Sequence, residues 1–86
     1  MKSSATADFW RRFAALPVSV RDSARRAYQL WSRDPQHRSL HFKKIGNVWS
    51  VRVSRGYRAV GLLKGDTVRW FWIGPHDEYE RILNRR

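Results

Sequence analysis

Residues 47–74 read NVWSVRVSRGYRAVGLLKGDTVRWFWIG. Trp49, Val51 and Val53 alternate with Ser50, Arg52 and Ser54, the period-2 pattern of a strand with one buried face. Two further runs rich in β-formers follow, GYRAVGLLK and TVRWFWIG. Gly65-Asp66 suits a two-residue hairpin turn, and Ser54-Arg55-Gly56 reads as a three-residue turn with glycine at its end. These turns set an expected register. Val53 faces Tyr57, Arg52 faces Arg58 and Val51 faces Ala59. On the second hairpin Leu63 faces Val68, Gly61 faces Trp70, Ala59 faces Trp72 and Arg58 faces Ile73. One face then collects Trp49, Val51, Val53, Tyr57, Ala59, Leu63, Val68, Trp70 and Trp72. A one-residue slip would drive Arg58 among the tryptophans, which argues for this register.

Upstream, the pattern changes period. Phe9, Phe13 and Leu16 recur at helical spacing behind Thr6 or Ser4 as candidate caps. Pro17 interrupts. Ser19 with Asp22 has the form of a capping box for a second helix. Val20, Ala24, Ala27 and Trp31 form its stripe, and Asp34-Pro35 ends it. Residues 6–33 are therefore expected to be an amphipathic helical hairpin lying on the apolar sheet face. The other sheet face mixes Arg52, Arg58 and Arg69 with Val60, Leu62, Phe71 and Ile73. Tyr79, Ile82 and Leu83 of the tail YERIL are the available cover; a bound partner peptide is another. The expected class is α+β: a helical hairpin on one face of a three- to four-stranded antiparallel sheet, with a short C-terminal helix. The stretch MKSSATAD is too polar and short to read as a strand.

The 86 residues make one domain, 1–86. Hydrophobic content of 42% with five Trp excludes a disordered tail. Cysteine is absent, so no disulfide framework exists. The opening MKSSATADFW offers no apolar stretch for a signal peptide, and nothing later is long enough to span a bilayer, so a cytoplasmic setting is expected. Charge is the dominant signal: 18 Lys+Arg against 7 Asp+Glu give a net +11, and fourteen of the cations are arginine. Arginine is the preferred fork for phosphate oxygens, and a small domain this basic points to nucleic acid or an acidic protein.

The chemistry follows from the register. Arg52 opposite Arg58 is a like-charge cross-strand pair, unfavourable by up to about 1 kcal/mol unless an anion neutralises it. The third strand returns beside Arg58, so Gly74, Pro75 and His76 emerge at the same end of the sheet. RNA cleavage needs a base for the ribose 2′-OH, a cation for the phosphoryl oxygens and an acid for the leaving 5′ oxygen. Arg52 and Arg58 supply charge; His76 is a candidate acid or base, histidine being the ordinary near-neutral proton carrier. Tyr79 is a candidate proton donor or stacking platform. His41, Lys43 and Lys44 are candidates for holding the RNA backbone or assisting as base, and Arg55 and Arg69 for holding the backbone. Asp77 with Glu80 has the form of another capping box. His37 and His41 lack a third ligand, so no metal site is expected, and the scheme calls for no cofactor.

The ordered set formed by "LP" at the helical turn, HFKKIGNVWSVRVSRGYRAVG and WFWIGPHDEYERIL resembles the RelE/ParE toxin superfamily of bacterial toxin–antitoxin systems, over most of the chain from Phe9. That resemblance implies a toxin neutralised by a cognate antitoxin. One branch cuts mRNA on the ribosome without metal; the other inhibits DNA gyrase. Arg58 matches the family's phosphate-stabilising arginine, His76 the position of an Arg or His, and Tyr79 the terminal tyrosine. Lys43 or Lys44 corresponds to basic residues ahead of the strand pair. Two departures stand out: the N-terminal strand usual in the family has no convincing counterpart, and neither does the glutamate base of some members. Beside the mRNA-cleaving reading stand a gyrase inhibitor and a non-toxic RNA-binding module.

Overall fold

The computed structural model describes residues 1–84. Thr6 opens helix α1 (Ala7–Ala14), its hydroxyl accepting from the Phe9 amide at 3.1 Å, which satisfies one of the orphan donors of the first turn. Asp8 binds Arg11 and Arg12 one turn on. Pro17 then turns the chain into α2 (Val18–Arg33). Arg21 reaches back across that turn and donates to the carbonyls of Leu16 (2.7 Å) and Ala14 (3.3 Å), so the guanidinium ties the end of α1 to the start of α2. The expected Ser19–Asp22 capping box does not form. The helix already begins at Val18 with Pro17 as its cap residue and no side-chain cap bond, and Asp22 instead pairs with Arg25 at 3.1 Å.

After a 3₁₀ turn, Arg38–Leu40, four strands follow: β2 (Lys43–Ile45), β3 (Val48–Ser54), β4 (Tyr57–Lys64) and β5 (Thr67–Pro75). Helix α3 (His76–Asn84) continues directly from β5. The helical hairpin, the antiparallel strands and the short C-terminal helix are as expected. The sheet, however, has five strands in the order β1-β5-β4-β3-β2, because Lys2–Ala5 forms a strand, β1, parallel to β5. This corrects the reading of the N-terminus as non-strand. An edge strand needs only its backbone to pair, and the amides of Lys2 and Thr6 donate to Asp66 and Trp70 carbonyls at 2.8 and 2.9 Å. The polar side chains find edge partners, Ser3 with Tyr28 and Ser4 with Arg69. Ala5 packs on the core.

Arg52 faces Arg58 and Val51 faces Ala59, as the turns predict. At the tip Ser54, not Val53, faces Tyr57, because the turn is the two-residue Arg55-Gly56 with an irregularity between Arg52 and Ser54. On the second hairpin Leu63 faces Val68 and Gly61 faces Trp70 as expected. Beyond this point the register shifts: Val60 faces Trp72, Ala59 faces Ile73 and Arg58 faces Gly74. Phe71 is the extra residue of a β-bulge, so every later side chain of β5 changes face. Trp72 therefore leaves the helical-hairpin side and Ile73 joins it.

Two cores result. The larger lies under α1 and α2: Trp31, only 1% exposed, meets Phe42 and Trp70 edge-to-face at 5.7 and 5.5 Å, with Val51, Val53, Ala59 and Ile73 beneath. The smaller lies under α3 and joins Val48, Val60, Trp72 and Tyr79, with Ile82 and Leu83 packed against it. The tail thus covers the second sheet face, as its apolar members require.

Candidate functional site

Arg52 and Arg58 stand on one rung at the end of the β3–β4 hairpin, on the face that α3 only partly covers. Arg58 is anchored by its own strand turn: one guanidinium nitrogen donates to the carbonyls of Ser54 and Tyr57, both at 2.9 Å. Burial, and secondly the neighbouring Arg52 charge, hold the Arg58 pKa below the ordinary arginine value, while Tyr79 pulls the other way. An arginine so perturbed is still cationic at neutral pH. Among the described residues neither arginine has an ion-pair partner. Arg58 is the fixed member of the pair, and an anion is what would relieve two such neighbouring cations.

The end of β5 delivers His76 to this rung. Gly74 lies across from Arg58 and Pro75 across from Tyr57. The His76 amide then donates to the Gly56 carbonyl at 2.8 Å, fixing the first residue of α3 against the hairpin turn. Its side chain is half-exposed, with Nε2 3.6 Å from a Glu80 carboxylate oxygen. Because α3 begins at His76, Asp77 lies inside the first turn and Glu80 faces His76; the expected Asp77–Glu80 capping box is thereby replaced by an i,i+4 pair.

Tyr79 lies one turn on. Its ring is 5.5 Å from that of His76, and it is 6% exposed, inside the smaller core. Its hydroxyl donates to Ser50 Oγ at 3.1 Å. The remaining candidates spread outward. Lys43 is exposed on β2 across from Ser50, on the same sheet face as the arginine rung. Lys44 sits across from Trp49 on the other face. His41 is exposed and closes the 3₁₀ turn with a left-handed backbone, φ 46°. Arg55 is exposed at the turn whose Gly56 holds His76. Arg69 lies five residues before Gly74 on β5, about 16 Å along the strand, bonded to Ser4. The fold thus brings Arg52, Arg58 and His76 to one end of the sheet, with Arg55 and Lys43 at its margins, and leaves Arg69 apart.

Sequence reasoning missed two members. Ser50 reads as a solvent-facing position of an alternating strand, yet it is 2% exposed and receives the Tyr79 hydroxyl. Glu80 could have been found from its i,i+4 spacing to His76. Among the described residues no group of three or more His, Cys, Asp and Glu could hold a metal ion, and no helix is long and apolar enough to cross a membrane.

The family model described as ParE-like toxin domain matches residues 18–81, about three quarters of the sequence. The chain therefore belongs to the ParE-like toxin domain family. No curated protein matches it by sequence. Solved structures share the fold at low identity. A chain of the RelB–RelE antitoxin–toxin complex of Methanococcus jannaschii superposes with TM-score 0.73 at 16% identity, over 92% of this chain and 96% of that one. The YoeB/ParE toxin of Agrobacterium tumefaciens gives 0.69 at 15%, over 88% and 99%. The isolated RelE toxin of E. coli gives 0.63 at 14%, over 98% and 96%.

Proposed function

We propose that this protein is the toxin of a toxin–antitoxin pair, neutralised by a cognate antitoxin, and that it cuts mRNA in the cytoplasm, on the ribosome, by 2′-OH transesterification. The observation that carries this reading is the rung formed by Arg52 and Arg58, two cations without a carboxylate, with His76 at its mouth. In the reaction the ribose 2′ oxygen attacks the adjacent phosphorus and the bond to the 5′ oxygen breaks, leaving a 2′,3′-cyclic phosphate and a free 5′-OH. Arg58, held rigid by two carbonyls, stabilises the charge that grows on the phosphoryl oxygens. Arg52 adds a second positive charge across the strand pair. A solvent water takes the proton that leaves the 2′-OH, His76 gives a proton to the departing 5′ oxygen, and Glu80 orients its ring. Tyr79 is buried and bonded to Ser50, so in this reading it is a positioning residue that supports the His76 ring, and the proton-donor role passes to His76 alone. Lys43 and Arg55 hold flanking backbone. No cofactor enters the scheme.

Expression in bacteria tests it. Growth arrest should come with new mRNA 5′ ends, and both should vanish in Arg58→Ala and His76→Ala. The ParE-like family match favours one second reading, a gyrase inhibitor. Arrest without RNA cuts, together with inhibited supercoiling by purified gyrase, would establish that alternative.

A further inference from the structure

β2 stops pairing with β3 at Ser50, so among the described residues no strand lies beside the outer edge of Arg52, Val53 and Ser54. Along this bare edge runs a cavity of about 440 Å³, walled on the far side by α2 and the 3₁₀ turn. Its polar lining is Arg26 and Ser23 from α2, Ser39 from the turn, and Arg52 and Ser54 from β3. Leu40 and Val53 supply an apolar floor. No acidic residue lines it. Its neighbour Arg25 is neutralised by Asp22, but Arg26 donates only to the Ser23 hydroxyl at 3.2 Å, and Arg52 has no carboxylate among the described residues. An uncompensated Arg26, the serines, an apolar floor and Arg52 at the sheet edge match one nucleotide: phosphate oxygens for the cations, sugar and base for the floor. The volume lies in the range that takes a small ligand.

Arg52 belongs both to this cavity and to the rung it shares with Arg58. We infer that the α2–β3 groove is a second nucleotide subsite, which holds the phosphate flanking the one bound at Arg58, so that a single RNA strand passes over the bare edge of β3 at Arg52. The inference rests on the RNA reading of the arginine rung and deepens it by giving the strand a path and Arg26 a role.

The test is binding of a short single-stranded 2′-O-methyl oligonucleotide, which lacks the attacking hydroxyl and cannot be cut, to the full chain by fluorescence anisotropy. Arg26 is exposed, so its replacement leaves the fold intact. Arg26→Gln should weaken binding about tenfold, the loss of one charge-assisted contact. The slope of log affinity against log salt should fall by about 0.7, one phosphate contact on a single strand. Arg26→Lys should keep most of the salt slope. Arg33→Gln, on the same helix but outside the groove, should behave as wild type. Equal binding by Arg26→Gln and Arg33→Gln overturns the inference. Adenosine monophosphate that binds as tightly as the oligonucleotide, with the same dependence on Arg26, also overturns it by making the groove a free-nucleotide site. Because cutting is not read, wild-type binding that depends on Arg26 upholds the groove whatever Arg58→Ala does to cleavage. A wild-type chain that binds no RNA sinks both.

Discussion

The Tyr79 hydroxyl donates to Ser50 Oγ at 3.1 Å, inside the core that seats α3 on the sheet. This bond adds to the apolar packing that seats the helix whose first residue is His76. Tyr79→Phe leaves the Ser50 hydroxyl without its donor and should lower stability by about 1–3 kcal/mol, the usual effect of an orphaned buried polar atom. RNA cutting should survive within a few fold. Urea unfolding beside a cleavage assay checks this; a collapse in rate without a loss of stability would restore Tyr79 as a proton donor.

Relief of the like-charge rung gives a second expectation. At neutral pH both guanidiniums are charged and repel across β3 and β4. Arg52→Gln should therefore raise unfolding stability by a few tenths to about 1 kcal/mol in low salt, and the gain should shrink as salt screens the pair. Phosphate should stabilise wild type more than Arg52→Gln at matched ionic strength. Thermal melts of the two proteins in chloride and in phosphate read both effects.

The sign of the Arg58 shift limits what pH can do. Its folded pKa lies below the ordinary arginine value, so in the strongly alkaline window just under that value the unfolded chain binds more protons and stability rises with pH. Below the window the penalty is fully present and constant. Arg58→Gln should thus leave the shape of the stability–pH curve unchanged through the neutral range, as denaturant titrations at several pH values would register.

His76 carries the proton transfer of the proposed reaction. Its replacement by alanine should slow RNA cutting by about 10²–10⁴-fold, the usual worth of a general acid, with little change in affinity for uncleavable RNA. A variant that cuts as fast as wild type would remove His76 from the chemistry.

Two glycines hold the tryptophans of β5. A Cβ at Gly61 would lie 2.8 Å from Val68 Cγ1 and 3.0 Å from the Trp70 ring, and one at Gly74 would lie 2.7 Å from Trp72 Cζ2. Gly61→Ala and Gly74→Ala should each lower stability by about 1–3 kcal/mol through overpacking. Gly74 also faces Arg58, so its replacement should weaken RNA binding as well. Calorimetric melts and anisotropy separate the two effects.

How far these features were legible in the sequence depends on what each one is made of. The Arg52–Arg58 rung was expected from a three-residue turn; the turn has two residues, and the irregularity between Arg52 and Ser54 restores the expected pairing, while the helical hairpin followed from periodicity. The face of Trp72 did not, because the bulge at Phe71 shifts the register within an uninterrupted β-forming run, and no spacing rule encodes that. β1 was missed because an edge strand held by backbone pairing leaves no side-chain signature. Ser50 was missed because its burial comes from Tyr79, twenty-nine residues away.

The parallel join of Lys2–Ala5 to Thr67–Trp70 has a temporal meaning. During synthesis the first strand emerges early and finds nothing to dock on until the last sheet strand has been made. His76 arrives later still. Long-range closure of this kind is slow, so the edge of the sheet stays open on a growing polypeptide until the residues of β5 have been added.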